Sequence, residues 1–236
     1  MRAILLAAGM GTRLRPLTEN TPKSLIEING EPLLERQIKF LNEIGINEIY
    51  VVTGYLKEKF EYLKEKFNVT LIHNEYYNRY NNIYSMYLAK EFLGDSYVID
   101  ADVYLTKNFL KNNLKKSYYF SGEKDTFEKE WKINYDNNNR VYSIEVVKGK
   151  NYILSGISYW NQRDAEIIKD KLNKLSNKFD LEEFQNLYWD DLVKMNLDKL
   201  EVYIEKIEEN DCYEIDNLHE LNELKKIVEK NMCVVI

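Results

Sequence analysis

Residues 3–7 form a short, continuous apolar run, and it leads directly into Ala8-Gly9-Met10-Gly11-Thr12-Arg13-Leu14. This junction constrains the chain more than any other feature. A run so short and so uniformly apolar predicts a strand buried on both faces, as in a parallel sheet. Open α/β sheets bind ligands at the carboxyl ends of such strands. Glycines there let backbone N–H groups approach a phosphate, and small alanines leave room for a base or sugar. Arg13 and Lys23 supply charge for a polyphosphate. All three prolines, Pro16, Pro22 and Pro32, fall in or just after this loop, so its backbone is expected to be rigid and irregular. Two familiar phosphate motifs do not fit. A P-loop needs Gly-Lys-Ser/Thr, but Gly11 is followed by Thr12 and Arg13. A dinucleotide fingerprint needs a third glycine where Leu14 stands. The bland alternative is a tight glycine turn carrying two surface cations.

The rest of the first half alternates strands and helices. Helical spacing of Leu33, Leu34, Ile38 and Leu41 follows Pro32, which suits a first helical turn, and Gly45 ends the pattern. Strands are expected at 49–53, 69–72 and 97–99, with helices at 56–67 and 83–92. The middle changes character, with strands at 118–121, 131–135, 141–147 and 153–160 and a turn signal at 136–139. Helices return at 163–175 and 187–195, a strand at 202–207 and a closing helix at 217–230. The pattern predicts an α/β fold. It is a single domain, a Rossmann-like, mostly parallel sheet with helices on both faces and a small antiparallel insertion. Residues 1–116 and 117–236 are read as its two halves.

Charge and cysteine usage exclude other classes. Lys plus Arg is 33 against 39 for Asp plus Glu, a formal charge of −6, so a nucleic-acid partner is not expected. The densest basic cluster, Lys111, Lys115 and Lys116, reads as a solvated face. Cys212 and Cys233 match no zinc spacing. The N-terminal apolar run is too short for a signal peptide, and no stretch is long enough for membrane insertion. A reducing cytoplasm is the expected location.

Three further segments carry chemistry. Asp100 and Asp102 end the fourth strand, where carboxylates beside a triphosphate loop can hold a hard cation. Asp100 can equally serve a turn, and Asp216 can equally cap the last helix. Asn81, Asn82 and Ser85 stand at a helix start, where amides either cap the helix or pair with the edge of a base. The third is aromatic and acidic: Glu130-Trp131, Ser155 to Trp160, and Tyr188-Trp189-Asp190-Asp191. It holds all three tryptophans of the chain. Aromatics beside carboxylates suit a quaternary ammonium, at roughly 0.5–2 kcal/mol per cation–π contact. Ordinary core aromatics are the alternative.

Leu-Ala-Ala-Gly-x-Gly-x-Arg-Leu from Leu6 to Leu14, followed by Pro22-Lys23-x-Leu25, resembles the signature of the nucleotidyltransferases that make sugar nucleotides and related activated headgroups. The later segments, Asn81-Asn82-x-Tyr84-Ser85, Asp100-Ala101-Asp102, Ser155-Gly156-x-Ser158-x-Trp160, Leu187-Tyr188-Trp189-Asp190 and Tyr213-Glu214-Ile215-Asp216, resemble the bacterial CTP:phosphocholine branch over nearly the whole chain. The resemblance implies CTP and phosphocholine as substrates, CDP-choline and pyrophosphate as products, and Mg2+ as cofactor. It implies Arg13, Lys23, Asp102 and Asp216 as catalytic, with Asp102 and Asp216 on the metal. It implies nucleotide contacts from Leu6, Ala7, Ala8, Gly9, Gly11, Thr12, Arg13, Asn81, Asn82 and Ser85. The acceptor would meet Lys23, Trp131, Tyr188, Trp189, Asp190 and Glu214, with the antiparallel insertion above it. Phosphoethanolamine or 2-aminoethylphosphonate is the nearest alternative acceptor. A sugar 1-phosphate and a non-catalytic nucleotide sensor are more distant ones.

Overall fold

The computed structural model describes residues 1–125, 129–178 and 182–233. The side chain of Cys233, one of the two cysteines considered above, lies outside the described residues. Strand β1 spans Arg2–Ala7. Its side chains divide between two cores: Ile4 and Leu6 face one, while Ala3, Leu5 and Ala7 face the other. That double burial is why the run is continuously apolar rather than alternating.

Along the chain, β2 (Glu27–Ile28) and β3 (Glu31–Pro32) form a small antiparallel ladder. Helix α1 (Leu33–Glu43) follows at once; Pro32 is extended and precedes its first turn rather than lying inside it. Gly45, at φ 82°, turns the chain out of the helix toward β4 (Ile49–Thr53). The helix expected at 56–67 is divided into a 3-10 turn, Lys57–Phe60, and α2, Tyr62–Phe67. The tighter spacing places Phe60 and Leu63, three residues apart, on one face, and both are fully buried.

Next come β5 (Thr70–His73), α3 (Asn82–Ala89), β6 (Ser96–Asp100), β7 (Val103–Leu105) and β8 (Ser117–Lys124). Strands β9 (Glu130–Tyr135) and β10 (Val141–Val147) form the antiparallel insertion. Of the strand expected at 153–160 only the second half forms, as β12 (Ile157–Trp160), and a two-residue strand, β11 (Asn151–Tyr152), precedes the expected range. Between them the chain leaves the main sheet, because Leu154 N–H donates to Trp131 O on the insertion at 2.9 Å. The remaining elements are α4 (Gln162–Ser176), α5 (Glu182–Gln185), α6 (Trp189–Lys194), β13 (Val202–Ile207), β14 (Cys212–Glu214) and α7 (Leu218–Cys233).

The main sheet runs β11-β8-β12-β6-β1-β4-β5, with β13 also on β8. Strands β6, β1, β4 and β5 are mutually parallel, and β12 turns the direction as it joins β6 to β8. Helices α3, α4 and α6 pack on one face, while α1 and α2 pack on the other. A separate ladder, β14 on β7, carries the chain after β14 back to the end of β6, where Ile215 N–H donates to Asp102 O at 3.2 Å. No described helix is long and apolar enough to cross a membrane.

Candidate active site

A cleft of about 940 Å³ opens where β1 and β6 end. Such a volume suits a nucleotide with a small acceptor. One wall is the loop after β1. Gly11 sits there at φ 59°, and a Cβ on it would lie 2.9 Å from Lys23 Cβ. Glycine is therefore required twice, for the left-handed backbone and for the close passage of Lys23. Thr18 Oγ1 donates to Gly11 O at 2.8 Å, and the Tyr55 hydroxyl donates to Thr18 O at 2.9 Å. The loop is thus clamped from inside, as its proline content predicts.

The floor holds an ionic cluster. Lys23 Nζ donates to Asp102 Oδ2 at 2.6 Å and to Asp216 Oδ1 at 2.8 Å. Arg13 Nη2 lies 2.8 Å from Asp216 Oδ1, its guanidinium largely exposed at the mouth. Burial alone would lower the Lys23 pKa, but Asp102 and then Asp216 reverse this and hold it firmly protonated. Burial likewise works to raise Asp216, and Lys23 followed by Arg13 overrides it, holding the carboxyl below its ordinary range. Glu214 and Asp100 move the other way. Burial and then neighbouring carboxylates, Asp102 first in both cases, push them up. Glu214 is nonetheless open to the cleft, so its charge is partly screened by water.

This donor set fits a divalent cation. Oxygens of Asp102, Glu214 and Asp216 lie within 4.8 Å of one another. Asp102 Oδ1 is buried without a hydrogen-bond partner, which is costly unless something meets it. Carboxylate oxygens are the ligands hard cations prefer. Among the described residues, seven carboxylates line the cleft against four cations, Arg13, Lys23, Lys124 and Lys129.

The opposite end is aromatic. Trp131 on β9 and Tyr188 before α6 meet edge to face, with ring centroids 6.0 Å apart. Lys194 Nζ lies 5.4 Å from the Trp131 ring centroid, so one cation already rests on this ring. Asp190 lines the cleft and accepts from the Tyr119 hydroxyl at 2.7 Å. Its neighbour Asp191 is used differently: Oδ2 caps α6 by accepting from Tyr188 N–H at 2.9 Å.

Every residue proposed from sequence for the nucleotide, acceptor or metal lines this one cleft. Several details differ from expectation. Trp160 is fully buried and its Nε1 donates to Ser158 Oγ at 2.9 Å, so it belongs to the core rather than to a pocket. Trp189 reaches the cleft but is also mostly core, packed edge to face on Trp160 with centroids 5.4 Å apart. Asp100 ends β6, whereas Asp102 lies beyond it in a turn rather than at the end of the strand. The amides do structural work as well. Asn81 Oδ1 caps α3 through Asn82 N–H at 3.0 Å, and Asn82 Oδ1 accepts from Trp189 N–H at 2.9 Å, tying α3 to α6. Ser85 Oγ is held by Asn74 Nδ2 at 3.0 Å.

Sequence reasoning passed over Ser24, Asn74, Tyr77, Tyr119, Lys124 and Lys129, which also line the cleft. Asn74 follows the carboxyl end of β5, and that position was the available signal. Ser24 is the variable position of the Pro22-Lys23-x-Leu25 segment, and the others carry no motif.

Residues 3–114 match the family described as MobA-like NTP transferase domain. The choline-phosphate cytidylyltransferase of Streptococcus pneumoniae is 49% identical, over 97% of this chain and 98% of that protein. A solved structure of the CTP:phosphocholine cytidylyltransferase from Streptococcus pneumoniae superposes with TM-score 0.92 at 50% identity, covering 96% of this chain and 98% of that one. The 2-aminoethylphosphonate cytidylyltransferase of Lancefieldella rimae is 33% identical, over 93% of this chain and 89% of that protein. Joined to a glycine loop, an acid cluster and an aromatic end sharing one cleft, these likenesses show that the chain belongs to the choline-phosphate cytidylyltransferase family and is a nucleotidyltransferase.

Proposed function

We propose that the chain transfers CMP from CTP to phosphocholine in a Mg2+-dependent reaction, giving CDP-choline and pyrophosphate. The observation that carries this reading is the pairing, within one cleft, of the Lys23 and acid cluster with the Trp131, Tyr188 and Asp190 end. Residues 1–116 would serve mainly the nucleotide and 117–236 mainly the acceptor. A reducing cytoplasm is the proposed setting.

Backbone N–H groups of the 8–12 loop would receive the triphosphate. Asn82 has its carbonyl oxygen committed to α6, which leaves its amide NH2 as a donor for the acceptor atoms of cytosine. Asn81 and Ser85 would complete that base site. Asp102 and Asp216, with Glu214 adjoining, would hold Mg2+, which supplies charge neutralisation at phosphate. An acceptor phosphate oxygen is already anionic near neutral pH, since a monoester's second pKa is about 6. No general base is then needed, and neither His73 nor His219 lines the cleft. Lys23 has three donors, and two are engaged by Asp102 and Asp216. The third would hold a phosphate oxygen of CTP or of the acceptor. Arg13, at the mouth, would steady the departing pyrophosphate. Catalysis in this scheme is positioning and charge stabilisation.

Trp131→Ala is expected to raise the KM for phosphocholine about tenfold, the loss of one desolvated cation–π contact, while the KM for CTP stays within twofold. Equal changes in both would remove Trp131 from the acceptor pocket. The reading as a whole is tested by pyrophosphate release over a panel of acceptors with CTP and UTP. Phosphocholine with CTP is expected to exceed phosphoethanolamine, 2-aminoethylphosphonate and glucose 1-phosphate by at least about tenfold in kcat/KM. Preference for a primary-ammonium acceptor would replace phosphocholine in the reading. Comparable rates with UTP would reject cytidine specificity.

A further inference from the structure

Asp190 does not face the cleft unsupported. Its Oδ1 accepts a 2.7 Å hydrogen bond from Tyr119, a residue in the middle of β8 that is 3% exposed. The Tyr119 ring meets Trp160 edge to face at 5.6 Å, and Trp160 meets Trp189 in the same way at 5.4 Å. Trp189 begins α6 and directly precedes Asp190. The carboxylate is thus fixed from both ends, by the helix that carries it and by a phenol rooted in the sheet. The Tyr119 backbone is itself held between strands, in register with Ser158 of β12 and Ile204 of β13.

We propose that Tyr119 is a positioning residue for acceptor binding: its hydroxyl holds the Asp190 carboxyl group in place, aimed at the cationic end of the acceptor. This rests on the reading of the aromatic end as the cation pocket. The direction of the bond is set by chemistry. Burial, then the charge of Asp190, push the Tyr119 phenol far up, so it is the donor at any working pH. The titratable groups facing Asp190 are Tyr119 from β8, Asp100 from the end of β6 and Asp191 from its own helix. Burial, opposed by the Tyr119 hydrogen bond and aided by Asp191, leaves Asp190 raised to about 7. Without the phenol, more of the carboxyl would be protonated at neutral pH, and a neutral acid offers little to a permanent cation.

The test is Tyr119→Phe, which keeps the ring and its contact with Trp160, compared with Asp190→Asn and the double variant. Tyr119→Phe is expected to raise the KM for phosphocholine about tenfold at pH 6.5, with kcat and the KM for CTP within twofold. The ratio of variant to wild-type KM cancels the ionisation of phosphocholine itself. That ratio is expected to fall as pH rises from about 6 to about 9, because the carboxyl then ionises without help. On the Asp190→Asn background, Tyr119→Phe should add less than twofold. If Asp190→Asn leaves the phosphocholine KM unchanged, the cation-pocket reading itself fails. If Asp190→Asn raises it while Tyr119→Phe does not, or the ratio is flat with pH, the positioning role is rejected and the pocket stands. Should Tyr119→Phe unfold, Tyr119→Leu, which also lacks a donor and adds no bulk, takes its place. A Leu variant with wild-type KM would also reject the role.

Discussion

Asp102→Ala is expected to lower kcat at least about 10³-fold with CTP and phosphocholine at saturation, and added Mg2+ should not restore it. The size follows from where the carboxylate stands. It is the acid at which the end of β6, the chain after β14 and Lys23 converge. Its Oδ1 has no partner in the protein, which leaves that oxygen available to an ion. The fold should survive the change. The 102–215 link is a backbone hydrogen bond, and the carboxylate itself is 24% exposed rather than packed in a core. Removing it also relieves Glu214 and Asp100, which its charge pushes upward. The variant should therefore melt within a few degrees of wild type while losing Mn2+ binding measured by calorimetry. Asp102→Asn separates charge from shape, and it is expected to fail as badly as alanine. Near-normal turnover in either variant would remove Asp102 from the metal site.

Much of this site was legible in the sequence because its determinants are local. The glycine loop announces itself through Gly11, whose positive φ and clearance to Lys23 admit no side chain. The parallel core announces itself through the double burial of residues 3–7, which leaves no polar position in the run. What escaped depends on contacts distant in sequence. Tyr119 and Asp190 are 71 residues apart, and nothing near either one signals the bond. Trp160 looked like a pocket wall because it shares a segment, and by alternation a sheet face, with Ser158, yet it lies farther along β12, where Tyr119 and Trp189 pack against it in the core. The break before β12 was hidden for the same reason. A run of strand-forming residues does not reveal that its first part pairs with the insertion and its second part with the main sheet.

Lys23→Ala is expected to cost about 10³-fold in kcat/KM, and to do something a phosphate contact alone would not. The Lys23 side chain is only 13% exposed, and both of its partners are acids in the same cluster. Breaking a buried ion pair costs about 3–5 kcal/mol, chiefly because the partner is left charged and unpaired. Asp102 and Asp216 are 24% and 27% exposed, so solvent screening reduces this to roughly 1–3 kcal/mol. In a domain of this size that corresponds to a melting temperature lower by about 3–10 °C in EDTA. Divalent cations bind the folded cluster and not the unfolded chain, so they stabilise by mass action. The variant, with more unbalanced negative charge, should gain more from Mg2+ than wild type does. Lys23→Arg should restore part of the melting temperature but little of the rate. A planar fork can pair the two carboxylates, yet its remaining donors lie in a fixed plane and do not reproduce a compact charge that turns a donor toward phosphate. A Lys23→Ala protein whose melting temperature is unchanged in EDTA would show that the ammonium does not hold the cluster together. One with kcat/KM within tenfold of wild type would show that it does not serve the reaction.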